Sequence, residues 1–273
     1  MDQRTDPYRM EFEQVLSAQQ RQVQELAQNW DKWLEEEFAL APQAIVDQGL
    51  LTKEVHQAES WKIGDFCVRN MLPLLEKFHR TRSFRDCRYM QWTAVGKFRE
   101  VELALKAIKM GFEIIFRDVS SVACENARRA MREHGVPAHT NAFDVREGEF
   151  QDRWSPDGLE CLNSGLFYAG QWVQLLSIEE AEKVMGLLGA FLCTPKGFVP
   201  QCDRRVCLVH PLPEDNVGTT WKHSTPYSAD DMVAWASKGN GKIRAEVAKE
   251  KCEYYGGPPL GHVYSFIVLS ADV

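Results

Sequence analysis

The feature that most constrains this chain is an alternation between residues 87 and 144. Short apolar runs give way to amphipathic segments, and a carboxylate stands where the second and third apolar runs end. Cys87 to Val95 (CRYMQWTAV) is apolar and aromatic and suits a strand. Gly96 follows, then Phe98 to Met110, whose Val101, Leu105 and Ile108 share one helical face, with Gly111 placed to end the helix. Phe112 to Phe116 (FEIIF) is a buried-type strand running into Arg117-Asp118. Ser120 or Ser121 opens the next helix, which ends near His134-Gly135, and Val136 to Phe143 is a third strand ending at Asp144. Strand, helix, strand, helix, strand with short connections predicts a parallel sheet with right-handed crossovers.

Later segments extend the series. Leu159 to Leu162 reads as a fourth strand. Ser177 to Phe191 reads as a helix opening with the capping-box pattern SIEE, and Val206 to His210 as a fifth strand. Ser228 to Ser237 starts with SADD, a second helix-start signature. Lys242 to Cys252 and His262 to Leu269 flank a Gly/Pro-rich turn (GGPPLG) and predict a terminal antiparallel hairpin closing the sheet. Ahead of all this, residues 8 to 80 read as helices. Leu16, Val23, Leu26, Trp30, Trp33 and Leu34 fall at helical spacing, and Pro73 marks a start or kink within Ile63 to Phe78. The expected organisation is an N-terminal helical cap or lid over 1–62 and an α/β domain with an open twisted sheet over 63–273.

Charge limits the partners. The chain carries 32 basic and 39 acidic residues, a net −7, and its pI is near 5.6. A broad nucleic-acid or anionic-membrane surface needs concentrated Lys and Arg, so neither partner is expected. Arg128, Arg129 and Arg132 read as the exposed side of a crossover helix, and Glu35 to Glu37 as a solvated face. No run reaches the ~20 apolar residues of a membrane span. The segment MDQRTDPYRMEFEQ has no apolar signal core, so a cytoplasmic location is expected. The 8 cysteines form no CxxC pair, which predicts reduced thiols and no metal site.

In an open parallel sheet, ligands bind beyond the carboxyl ends of the strands, where the strand order reverses. The candidate site residues are therefore those that follow strands. Asp118 lies 22 residues past Gly96, the usual spacing for a carboxylate that accepts from both hydroxyls of a ribose. Asp144 follows the third strand, where it can accept from an adenine amino group, with Phe143 beside it to line the base. Two such carboxylates point to an adenosine-bearing ligand. For proton transfer the loop HPLPEDNVGTTWKHSTPY offers His210, Asp215, His223 and Tyr227, and Tyr168 and Gln171 stand further upstream. His210 ends a strand and reads equally as a catalytic or a buried structural residue, and His223, in a polar loop, reads equally as a catalytic or a solvated surface residue. Among the 8 tryptophans most suit a core, whereas Tyr8 and Phe12 suit a lid.

From Ile63 onward the chain resembles the class I S-adenosylmethionine-dependent methyltransferases. The resemblance rests on the strand–helix series, on IIFRDVS and NAFDV at the second and third strands, on LNSGLFYAGQWVQLLSIEEAEKVMGLL, and on RVCLVHPLPEDN. It implies a Rossmann-like fold whose cofactor is S-adenosyl-L-methionine and whose substrate is a small molecule. It further implies Asp118, with Val119 beside it, at the ribose, Phe143 and Asp144 at the adenine, and Asn163-Ser164 facing the sulfonium side. Trp92, Thr93 and Gly96 would hold the amino-acid half. One departure stands out: the family's first loop is glycine-rich, and here QWTAVGK holds a single glycine. The absence of GxGxxG also disfavours a dinucleotide dehydrogenase. Three readings follow: methyl transfer; attack on the cofactor's aminocarboxypropyl arm, such as ring closure to azetidine-2-carboxylate with release of methylthioadenosine; and a catalytically silent, methyltransferase-like binding subunit.

Overall fold

A computed structural model describes residues 53–80, 89–93, 98–118, 121–136, 139–142, 164–170, 172–193, 204–218, 225–254 and 262–272. The described chain begins with helix α1 (Lys53–Arg80). Its Ile63, Phe66, Met71, Leu75 and Phe78 recur at helical spacing and are all buried, so one stripe of the helix faces the sheet. Pro73 sits inside this helix at an exposed position rather than starting it. The 62/63 boundary drawn from sequence falls within the same helix.

Seven strands follow, with helices between them: β1 (Tyr89–Thr93), α2 (Phe98–Lys109), β2 (Glu113–Asp118), α3 (Ser121–Glu133), β3 (His139–Ala142), β4 (Ser164–Gly170), α4 (Ile178–Leu192), β5 (Arg205–Pro211), α5 (Ala229–Ser237), β6 (Ile243–Tyr254) and β7 (His262–Ala271). They form one sheet in the order β3-β2-β1-β4-β5-β7-β6. The five strands from β3 to β5 run parallel, and β7 lies antiparallel between β5 and β6. The terminal hairpin is therefore present, with its second strand inserted beside β5.

Burial on both faces explains why β4, β5 and β7 are nearly continuous apolar runs. Leu166, Tyr168, Cys207, Val209, Phe266 and Val268 pack in one core with α1, α2 and α3. Their neighbours Phe167, Ala169, Val206, Leu208, Ile267 and Leu269 pack in a second core with α4 and α5. The alternation of strand side chains thus divides the interior into two layers. The capping box expected at SIEE is formed, and the helix start expected at SADD is a capping box as well. Ser177 Oγ accepts from Glu180 N–H at 3.3 Å, and Ser228 Oγ from Asp231 N–H at 3.0 Å. Helices α4 and α5 approach so closely that a Cβ on Gly189 would lie 1.8 Å from the Ala236 carbonyl oxygen, so only glycine fits there. Among the described residues no helix is long and apolar enough to cross a membrane. Cys67, Cys193, Cys207 and Cys252 are free thiols, and burial pushes that of Cys207 up to about 12.

Candidate functional site at the carboxyl rim

The strand order reverses between β1 and β4. From β1 the chain builds outward through β2 and β3, then returns to the other side of β1 with β4. The crossover helices diverge at such a point, and the crevice between them opens at the carboxyl ends of the two strands. Parallel pairing sets Thr93 beside Arg117 of β2 and Ala169 of β4, so the rim comprises the ends of β1, β2, β3, β4 and β5. Trp92 and Thr93 end β1 at the centre of this rim. Asp118 ends β2 and pairs in register with Ala142, the last residue of β3. Phe143 and Asp144 come next in sequence after Ala142 and, with Val119, Gly96, Asn163 and His223, lie outside the described residues.

Two expectations are corrected. The fourth strand runs from Ser164 to Gly170 instead of ending at Leu162. Ser164 therefore opens the strand, beside Tyr89 at the amino edge, about 20 Å of extended chain from the rim it was expected to line. The run SGLFYAG is buried on both faces, and without alternation its boundaries are poorly marked in sequence. Tyr168 lies within this strand rather than after it. It is fully buried in the core shared with α1.

His210 and Tyr227 meet at the rim, but neither is arranged as a proton shuttle. His210 is fully buried near the end of β5, and its Nε2 accepts a hydrogen bond from the Tyr227 N–H at 3.0 Å. Burial pulls its pKa down to about 3, so at neutral pH the ring is uncharged and Nε2 is engaged. Of the two readings that the sequence leaves open for His210, these contacts agree with the buried structural one. The Tyr227 phenol, pushed up by burial, donates to the Leu176 carbonyl at 2.6 Å. Its ring stacks on His210 (5.9 Å, 11°) and meets the edge of Trp235 at 5.2 Å.

Sequence reasoning named His210 and Asp215 at this rim and passed over Gln174 and Asn216. A short turn, Val173–Leu175, follows β4, and the carbonyl of its Gln174 accepts from Thr225 N–H at 2.6 Å. Gln174 Oε1 and His210 Nδ1 are buried with no hydrogen-bond partner, an acceptor and a ring nitrogen at the ends of adjacent strands. After β5 the turn PEDN is fastened to the hairpin. Asn216 Nδ2 donates to the carbonyls of Leu212 (2.7 Å) and Val263 (3.0 Å), and its Oδ1 accepts from Val263 N–H (2.8 Å). Asp215 accepts from Lys251 Nζ and from Ser265 Oγ. A signal for this clasp existed: Ser265 interrupts an otherwise apolar strand.

Comparison with known protein families finds no match, and no curated protein is similar in sequence. Solved structures are similar in shape. The [4+2]-cyclase SpnF matches with a TM-score of 0.50 at 12% identity, covering 74% of this chain and 80% of its own. The bifunctional kinase-methyltransferase WbdD matches at 0.49 and 13%, covering 75% of this chain and 39% of its own. A geranyl diphosphate methyltransferase, determined with GPP and sinefungin, matches at 0.48 and 11%, covering 74% and 77%. With a sheet ordered 3-2-1-4-5-7-6, a reversed seventh strand and a shape similar to that of SpnF, the chain has a Rossmann-like, methyltransferase-like fold.

Proposed function

We propose that this protein is an S-adenosylmethionine-dependent enzyme that transfers a methyl group to a small molecule. One observation carries the reading: the β1/β4 switch point stands one strand from Asp118, the terminal residue of β2. That is where a carboxylate holding a ribose belongs, so the nucleoside half of the cofactor fits the backbone layout. When bound, the cofactor supplies a methyl group already activated by its sulfonium. The chain's own work is then to bind, orient and exclude water. Asp118 would accept from the ribose hydroxyls, Asp144 would accept from the adenine amine, and Trp92, Thr93 and Gly96 would hold the amino-acid half. Holding an acceptor in line with the methyl group supplies much of the rate by removing the orientational cost of the encounter.

A second reading changes the reaction. The single glycine of QWTAVGK alters the loop along the methionine portion and favours attack on the aminocarboxypropyl arm, with methylthioadenosine released. The [4+2]-cyclase among the structural neighbours is a reminder that this fold is not tied to one reaction. Calorimetry with S-adenosylmethionine, followed by mass spectrometry of the incubated mixture, tests both. Adenosylhomocysteine formed only with an acceptor present supports methyl transfer, and methylthioadenosine above the nonenzymatic background supports arm chemistry. No binding to the wild-type protein overturns both and leaves the silent binding subunit. Unchanged affinity in Asp118→Ala overturns the ribose assignment.

A further inference from the structure

Residues Thr225 to Tyr227 form a strap across the carboxyl ends of β4 and β5. At one end Thr225 N–H is bonded to Gln174, in the turn after β4; at the other, Tyr227 N–H is bonded to His210 on β5, while the Tyr227 hydroxyl returns to Leu176 beyond the same turn. Immediately beyond it, Ser228 caps α5. Of the strap's anchors, the His210 ring is the only one that is a side chain on a central strand, and it has no surface through which to escape.

We propose that His210 is a positioning residue: its Nε2 latches the strap, and thereby holds the turn after β4 in place beside the β1/β4 crevice. A consequence follows from the chemistry of the ring. A neutral imidazole has one protonated nitrogen, and the nitrogen that accepts a hydrogen bond is the bare one. The proton is therefore on Nδ1, which is buried with no hydrogen-bond partner among the described residues. Histidine at this position acts as a hydrogen-bond acceptor, and never as a base near neutral pH.

The latch is tested without ligand. Hydrogen–deuterium exchange on the full chain compares wild type, His210→Leu and His210→Gln. Glutamine Oε1 reaches the place of Nε2 and can accept, whereas leucine cannot. The Tyr227 amide is expected to exchange roughly tenfold faster in His210→Leu and to keep most of its protection in His210→Gln. Equal protection in the leucine variant overturns the latch. Nitrogen NMR of wild type is expected to show His210 protonated at Nδ1 and bare at Nε2 between pH 5 and 8, and a proton on Nε2 overturns it even if the leucine variant fails to fold. The positioning role rests on the proposed function. S-adenosylmethionine affinity is expected to fall about fivefold or more in His210→Leu and to recover in His210→Gln, and equal affinities overturn that role. If wild type does not bind the cofactor, the proposed function fails while exchange and NMR still decide the latch.

Discussion

The two halves of the sheet are built differently. On one side of the switch point, β1, β2 and β3 have 5, 6 and 4 residues, and only four register pairs join β2 to β3. On the other, β4 and β5 have 7 each, β7 has 10 and β6 has 12. This second half also carries the clasp from Asp215 and Asn216 to the hairpin, the strap on His210, and both formed capping boxes. Among the described residues, the half proposed to hold the nucleoside has the shorter ladder, and the half bearing the turns after β4 and β5 carries the side-chain pins just named. Short ladders open at lower free energy than long ones with buried polar clasps. The contrast therefore separates residues whose loss is felt in stability from residues whose loss is felt in ligand affinity.

Substitutions that strike the pinned half should have the largest effect on stability. Phe266→Ala empties a fully enclosed site on β7 and is expected to cost about 4 kcal/mol in denaturant unfolding. Gly189→Ala drives a methyl group into the Ala236 carbonyl and is expected to cost about 3 kcal/mol. A loss below about 1 kcal/mol in either would show that α4, α5 and the hairpin are held less tightly than described.

Acid should act on the same half. The His210 pKa lies near 3 in the fold against an ordinary 6.5, so the folded protein binds that proton less readily than the unfolded chain. The stability this confers is fully present above pH 6.5 and is lost as pH falls toward 3, with a slope approaching about 1.4 kcal/mol per pH unit. His210→Gln should flatten that part of the pH profile, and an unchanged slope would assign acid sensitivity elsewhere.

A smaller loss is expected at the clasp. Asn216→Ala removes three hydrogen bonds and leaves the Val263 N–H in need of a partner, for about 2 kcal/mol by thermal unfolding. By contrast, Asp118→Ala on the short-stranded half should move the unfolding midpoint little while removing cofactor binding. A large stability loss there would blur the division. At the bottom of the scale, Glu182→Ala breaks an exposed pair with Lys238 and should change stability by less than about 0.5 kcal/mol.

Much of this architecture was legible before any coordinates. The alternation from β1 to β3 was readable because each helix carries its own apolar stripe, and SIEE and SADD announced their helices because capping is a contact among four consecutive residues. The end of β2 at Asp118 was legible as well. Within the described residues, Asp118 stands at the expected strand end, while Ser164 and Tyr168 do not stand where they were expected.

What the chain by itself determined is everything that depends on neighbours in sequence: the helices, their caps, the alternating order and the placement of a carboxylate after β2. The tertiary structure alone decided the rest. It inserted β7 between β5 and β6, set the limits of a strand buried on both faces, and made His210 an acceptor for the Tyr227 amide. Each of these depends on a partner many residues away. Local propensity carries no record of such a partner, and a titratable side chain takes its character from whatever encloses it.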